Sequence, residues 1–477
     1  MSTLTKVLCD SVRKIEDTAL AEKVQQSARL THHLMPPTGW LNDPNGLCYF
    51  KGKYHVFFQY NPFDATGGLK FWGHYSSADM LNWKYEGVAL YPDSVMDCHG
   101  VYSGSALAEG DKLHLFFTGN VKEEDGDFDY VNNGRQASTL HVESEDGLQF
   151  GVKKAAVYYR DYPENYTCHI RDPKVWKDTD GYHMVLGGRQ KGDRGAVLFY
   201  RSENLNTWEF DRELTTENAF GYMWECPDFF ELSGEKILSV SPQGLKCEEY
   251  RFQNIYQSGY FILQNDQVSE ESFQEWDMGF DFYAPQTFLD KRGRRILIGW
   301  MGMPDADDDY TNPTAEKEGW QHCLTVPREV TLKNGRLYQK PVEEINSLRK
   351  NLTEIDTCDS EIITEVPFDL EAEVQGTEIL IELENAFSVE YKDGKVVLNL
   401  SEQAGAGRKQ RKAIIPSGKL TDIRILADTT AAEIYLNDGE VVFSTRYYPQ
   451  SRKQTLKIQA EQLKGQICQL NAMTFTK

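Results

Sequence analysis

The chain has 477 residues, 40% of them hydrophobic and 12% aromatic, with 51 basic against 73 acidic side chains and a formal charge of −22. That length exceeds one ordinary hydrophobic core, so two domains are expected. The negative charge argues against a nucleic-acid or anionic-membrane partner, since both need a positive surface, and it obliges any anionic substrate to meet a local basic pocket.

The first thirty residues carry charges throughout and hold no apolar stretch of signal-peptide length. Nowhere do about 18 uncharged apolar residues run together, so no membrane span is expected. The nine cysteines are scattered and never form a C-x-x-C pair, which fits reduced thiols and a cytoplasmic location.

In chain order, Val7, Val12, Ile15, Ala19 and Val24 recur at loosely helical spacing and predict one amphipathic helix over 5–29, within an N-terminal segment 1–30. HLMPPTGWLNDPNG at 33–46 follows. Its turn chemistry is plain: Asp43 precedes a proline, and Asn45-Gly46 tolerates positive φ. Taken alone, a solvated loop explains it.

Beyond it a short β-rich phrase recurs. GKYHVFFQY at 52–60 is echoed by DKLHLFFTG at 111–119, DGYHMVLGG at 180–188, GEKILSVSP at 234–242 and RGRRILIGW at 292–300. Aligned on His55, His114, His183, Leu238 and Leu297, the spacings are 59, 69, 55 and 59 residues. A second phrase follows three of them: HYSSADMLNWKY, LHVESEDGLQF and LFYRSENLNTWEF, each a strand, a Ser-plus-acid turn and a closing aromatic. Five units of several short strands predict an all-β fold, a five-bladed β-propeller over 31–340. A pair of sandwiches with accidental echoes explains the order less well. Then VEEINSLRKNL at 342–352 reads as helical. Alternating strands with Asp393-Gly394 and Asp438-Gly439 hairpin turns predict a β-sandwich over 355–477.

The innermost strand of each propeller blade lines the central channel, so equivalent positions converge near the axis. Asp43 precedes its echo by 12 residues, Asp172 by 11 and Glu225 by 13. The other two units offer VYSGSA and FYAPQTF. One such carboxylate is explained by capping of backbone amides. Three at one height repel one another and need a functional reason. An acid held protonated beside ionised carboxylates is what glycoside hydrolysis uses. Trp40, Phe71, Trp72, Tyr102, Trp224 and Tyr283 offer aromatic walls for a sugar, some of them core. The acids of DADDDYTNPTAE at 305–316 lack the glycine of a calcium loop and read as a solvated loop. His55, His114 and His183 read as strand packing, so no metal and no cofactor is expected.

GWLNDPNG, RDPKV and WECPDFF, in this order, resemble glycoside hydrolase family 32, the invertases and sucrose-6-phosphate hydrolases. The likeness runs on through FFQYNP, FWGHYSSADMLNW, SGSA, DFYAPQTF and VPREV. It implies a five-bladed propeller with a C-terminal sandwich and a retaining hydrolase of β-fructofuranosides. Carried over, Asp43 is the nucleophile, Asp172 the stabiliser that grips fructose hydroxyls, and Glu225 the acid/base. The resemblance places Asn42, Gln59, Trp72, Ser103 and Arg171 at the fructose subsite, with Tyr283 beside them as an aromatic wall. Phe71 stands where a polar residue is common in the family, and Tyr102 where Phe is frequent.

On this reading Asp43 and Asp172 are ionised at neutral pH. Glu225 is protonated, because Cys226 and Pro227 bring it no charge. Two other classes fit the chain: an inverting arabinan-type propeller enzyme, with carboxyls ~6.5–9.5 Å apart against ~5–5.5 Å for retention, and a non-catalytic sugar-binding protein, which the loss of an acid would mark. All three acids are present. The substrate partner is a small sugar: sucrose, its 6-phosphate or a short fructan. Arg135, His169, Arg189 and Lys191 are the cations offered to a phosphate. The tail is expected to pack on the first domain and to serve a homodimer as a second use.

Overall fold

The computed structural model describes residues 2–22, 28–306 and 310–477. A first helix spans Thr3–Glu22; residues 23–27, including Val24, lie outside the described part. The helix buries Cys9, Val12 and Glu16 and leaves Val7 and Ile15 exposed, so its docking face shares Val12 with the apolar line read from the sequence but not Val7 or Ile15. Polar bonds decide the rotation: the Tyr85 and Tyr60 hydroxyls donate to Glu16 Oε1 at 2.6 and 3.2 Å.

Residues 39–341 form five sheets. Sheet I holds Gly39–Phe50, Lys53–Asn61, Phe71–Ser77 and Asn82–Leu90. Two distant strands join it in parallel, Trp320–Gln321 beside the first of these and Thr474–Thr476 beside the fourth. Sheet II holds Val101–Glu109, Lys112–Lys122, Arg135–Ser144 and Lys154–Val157; sheet III Tyr166–Asp178, Gly181–Gln190, Arg194–Ser202 and Glu209–Leu214. Sheet IV holds Met223–Leu232, Glu235–Gln243, Gly259–Ile262 and Gln274–Glu275. Sheet V holds Tyr283–Leu289, Arg295–Met301, Arg328–Lys333 and Arg336–Pro341, with Cys323–Leu324 on its second strand. The echoed phrases are the second strands, whose alternation buries Val56, Leu115, Val185, Leu238 and Leu297 completely. The first strands are innermost and pack one on the next, from sheet I round to sheet V and back to sheet I. The domain is propeller-like.

The second phrase has a local cause. The hydroxyls of Ser77, Ser144 and Ser202 accept from the amides of Met80, Gly147 and Leu205, each of which has positive φ. Asp79 and Asp146 then accept two further amides each, from Leu81 and Asn82 and from Leu148 and Gln149. In sheet III this third position is Asn204, not the acid Glu203, and its Oδ1 accepts from Asn206 and Thr207. The turn needs a short side-chain acceptor, and charge is optional.

The predicted helix at 342–352 is a 3₁₀ segment over Glu343–Leu348 only, and Arg349–Glu365 is already strand. From there a nine-stranded antiparallel sheet forms a sandwich-like domain over its own core. Asp393 and Gly394 both take positive φ at one hairpin turn.

Ionic groups tie the two parts together. Arg328, fully buried, donates Nε to Glu433 Oε2 at 2.8 Å and Nη1 to Asp277 Oδ2 at 3.2 Å. Asp281 meets Arg446 at 2.9 Å and Arg408 at 3.3 Å. His33 sits between Asp428 and Glu433 at 2.9 and 3.0 Å.

Candidate active site

Every inner strand breaks its ladder at the same height. Two of its residues stand opposite one residue of the second strand: Asn42-Asp43 opposite Gln59, Tyr102-Ser103 opposite Thr118, Asp172-Pro173 opposite Leu186, Cys226-Pro227 opposite Val240, and Ala284-Pro285 opposite Gly299. Each is a β-bulge, which re-aims a side chain that would otherwise follow the pleat. Proline fits three of them because a bulge residue owes the ladder no N–H. Asp172, Cys226 and Ala284 take φ of 65°, 46° and 48°, rare for residues with a Cβ. The turn-like LNDPNG therefore lies inside a strand, not in a solvated loop.

Asp43 is held from both sides. Ser103 Oγ donates to its Oδ2 in a short bond, and Asn42 Nδ2 donates to Oδ1 at 3.1 Å. Gln59 Nε2 donates to Ser103 Oγ at 2.5 Å, Asn42 Nδ2 to Gln59 Oε1 at 2.9 Å, and Trp40 Nε1 to Asn42 Oδ1 at 2.7 Å. Asp172 takes the Cys226 amide on Oδ2 at 2.9 Å, and its own amide donates to Thr118 Oγ1 at 2.9 Å. The Cys226 thiol lies 3.6 Å from Oδ2 of both Asp43 and Asp172.

Glu225 has a different setting. Arg171 donates Nε and Nη2 to its Oε1 at 3.0 and 2.5 Å. Gln243 Nε2 and the Tyr283 hydroxyl donate to Oε2 at 2.8 and 2.7 Å. The neighbours expected to be uncharged include a guanidinium, because Arg171 immediately precedes the sheet III bulge and faces the next inner strand.

Burial raises the Asp43 carboxyl above its ordinary value; the Ser103 and Asn42 bonds oppose this, and the charge of Glu225 adds to it. Burial likewise lifts Asp172 to about 7, against the pull of Arg171. Asp172 is thus brought close to neutrality, and Asp43 is moved the same way, because inner-strand bulges enclose both aspartates. Burial holds His169 down at about 3, with the Arg171 charge helping, so it is neutral.

The acids face one pocket of about 570 Å³, lined also by Trp40, Asn42, Gln59, Tyr102, Ser103, Arg171 and Tyr283. Trp72 is not among its lining residues. Its side chain is wholly buried against Phe57 and Phe117, with Nε1 donating to the Tyr102 carbonyl at 3.1 Å. It is a core residue, as are Phe71 and Trp224. Arg135, His169 and Arg189 reach the pocket, whereas Lys191 lines an adjoining 310 Å³ cavity that Arg135 also borders. Sequence reasoning missed Lys70, Tyr222, Gln243, Tyr256 and Trp300, which also line it. Trp300 ends one echoed phrase and Gln243 directly follows another, which is the signal that could have found them. Asp305 reaches the rim too and accepts from Tyr256 at 2.9 Å; Asp307, Asp308 and Asp309 of the acidic loop lie outside the described residues.

Such a site can donate a proton, supply a carboxylate nucleophile and stabilise a developing positive charge. Residues 33–341 match the model of the glycosyl hydrolases family 32 N-terminal domain, and 349–474 that of the family 32 C-terminal domain. A sucrose-6-phosphate hydrolase of Bacillus subtilis (strain 168) is 41% identical over 440 residues, covering 87% of this chain and 88% of the relative. A raffinose invertase of Escherichia coli is 38% identical over 447 residues, covering 90% of this chain and 91% of the relative. Among solved structures, a sucrose-6-phosphate hydrolase from Lactobacillus gasseri superposes with a TM-score of 0.85 at 29% identity, covering 97% of both chains. A Bombyx mori GH32 beta-fructofuranosidase superposes with a TM-score of 0.84 at 32% identity, covering 98% of this chain and 99% of the other. A mutant of the latter has been solved in complex with sucrose.

Proposed function

The chain belongs to glycosyl hydrolase family 32 and is a glycoside hydrolase of β-fructofuranosides; from that premise we propose that it cleaves sucrose 6-phosphate and sucrose with retention, in the cytoplasm, on a propeller whose blades are the five sheets. The observation that carries the reading is that Asp43 and Asp172, in inner-strand bulges, and Glu225, immediately before a third, face a single pocket.

Asp43 is the nucleophile at C2 of the fructosyl unit. Ser103 and Asn42 fix its carboxylate, so little reorientation is needed before attack. Glu225 protonates the glycosidic oxygen and then takes a proton from the water that releases fructose. Asp172 grips fructose hydroxyls, whose bonds strengthen as the ring becomes oxocarbenium-like. Burial shifts both aspartates toward the protonated form. Sugar hydroxyls donating to Asp43 and Asp172 stabilise their anions.

The test is an assay of the purified protein on both sugars, with the anomer of the first-formed fructose followed by NMR. Retained β-fructofuranose from either substrate supports the reading. Inverted product removes the nucleophile from Asp43, and no fructose from either sugar removes the substrate.

A further inference from the structure

Four cationic side chains line the pocket: Lys70, Arg135, Arg171 and Arg189. Two of them are already balanced. Arg171 is paired with Glu225, and Arg189 with Asp193 at 2.6 Å while it covers the Tyr222 ring at 4.6 Å. The other two have no carboxylate within ion-pair distance among the described residues. Arg135 spends Nη1 on the neutral Asn120 Oδ1 at 2.8 Å, and its Nε is a buried donor without a partner. Lys70 Nζ stands 4.8 Å over the Trp40 ring. Asp43 and Asp64 act on it from beyond ion-pair range, and burial brings its ammonium down to about 8.

Both cations hang from the same stretch of rim, where sheet I meets sheet II. The Lys70 carbonyl accepts from Val101 N at 2.9 Å, Asn120 N donates to the Gly100 carbonyl at 3.0 Å, and Asn120 carries Arg135. Tyr102, one residue into this rim, lines the pocket between them in sequence. A protein with a charge of −22 has carboxylates to spare, yet leaves these two cations unpaired beside its acids. Part-buried cations without counter-ions are costly unless a ligand brings the anion.

We propose that Lys70 and Arg135 form the subsite for a phosphate monoester carried by the leaving half of the substrate. The assignment rests on the fructofuranosidase reading of the same pocket. An ammonium and a guanidinium suit a phosphate well: Arg135 offers fixed N–H donors and Lys70 a point charge. His169, neutral and tied to Arg171 and the Tyr130 carbonyl, contributes no charge. Lys191 lines only the adjoining cavity, which Arg135 borders as well as the pocket. The phosphate does not react, so its binding energy shows in KM unless it also orients the sugar.

The experiment compares kcat/KM on sucrose 6-phosphate and on sucrose for the wild type, Arg135→Gln and Lys70→Gln. The ratio of the two efficiencies should fall about 10–100-fold in each variant, chiefly through KM, as expected for one hydrogen bond to a charged group. Arg135→Lys and Lys70→Arg should keep part of it. Unmodified enzyme supplies a second measurement, free of any folding defect: glucose 6-phosphate should inhibit sucrose cleavage more strongly than glucose. If inorganic phosphate alone inhibits equally well, the site holds a free anion and the monoester assignment falls. A ratio that stays constant across the variants, or no preference of glucose 6-phosphate over glucose, overturns the subsite while leaving the fructofuranosidase reading intact. Failure to cleave either sugar would instead strike that reading.

Discussion

Arg171 places two N–H groups on one oxygen of Glu225, Nε at 3.0 Å and Nη2 at 2.5 Å. The pair joins the inner strands of sheets III and IV and fixes the carboxyl proposed as the general acid. Arg171→Lys keeps a charge but loses the planar fork. We expect kcat on sucrose to drop by about 10–100-fold, with a smaller change in KM, because the loss is one of orientation. A variant with unchanged kcat and raised KM would make Arg171 a plain binding residue.

Leaving-group chemistry separates the two reacting acids. General acid catalysis is typically worth about 10²–10⁴-fold. Glu225→Ala should be slow on sucrose to that degree, yet much less impaired on a fructoside whose leaving group departs unprotonated. Asp43→Ala should lose both activities alike. If both variants showed the same leaving-group dependence, the roles would have to be reassigned.

Asp172 is expected to cost the fold stability at neutral pH. Burial lifts its carboxyl from 3.8 to about 7, so between those values the unfolded chain has lost a proton that the folded chain keeps. The difference destabilises progressively from pH 4 to 7 and is complete above 7. Asp172→Asn retains an acceptor for the Cys226 amide. It should abolish activity yet raise unfolding stability at pH 8, by up to about 4 kcal/mol, with little gain at pH 4. Urea unfolding of both proteins at the two pH values measures this. An equal gain at both would point to packing instead of charge.

His33 predicts the opposite slope. Burial alone would lower its pKa, but hydrogen bonds with Asp428 and Glu433 raise it from 6.5 to about 9. A raised basic group contributes stability that is whole below pH 6.5 and lost as pH climbs through 9. Wild type minus His33→Gln, followed by urea unfolding from pH 6 to 10, should shrink across that window. A constant difference would show that the histidine acts by shape.

The tail is predicted to be inseparable from the propeller-like domain. A fragment of residues 1–345 would leave Arg328, Asp277 and Asp281 without Glu433, Arg446 and Arg408, stranding buried charge. It should fail to give a cooperative unfolding transition or measurable turnover. A folded fragment with full turnover would refute the packing role.

The echoes were legible because the second strands are buried on both faces, which forces runs such as HVFF and HLFF to recur. Asp43, Asp172 and Glu225 were legible because the inner-strand offset repeats with them. The bulges were not, since a bulge leaves only an Asp-Pro or Cys-Pro pair that also reads as a turn. Trp72 and Tyr102 could not be told apart by type. One faces the core and the other the pocket because the bulge at Tyr102-Ser103 shifts the pleat of its strand while Trp72 stays in register with the second strand of sheet I. Lys70 lies in the stretch leading into the third strand of sheet I, and the approach of that stretch to the sheet II rim has no local signal.

Sheet I carries a schedule. Its first four strands are synthesised early, but Thr474–Thr476 pairs with Asn82–Lys84, roughly 390 residues upstream, and Trp320–Gln321 with Gly39–Trp40. A ribosome-bound chain therefore waits, with both edges of this sheet open, until sheet V and the whole tail have emerged. Asp43 lies three residues past one of those open edges. The site can acquire its final alignment only after the distant strands arrive, so the enzyme should be inactive through most of its synthesis and should gain activity slowly, as pairings of such long range do.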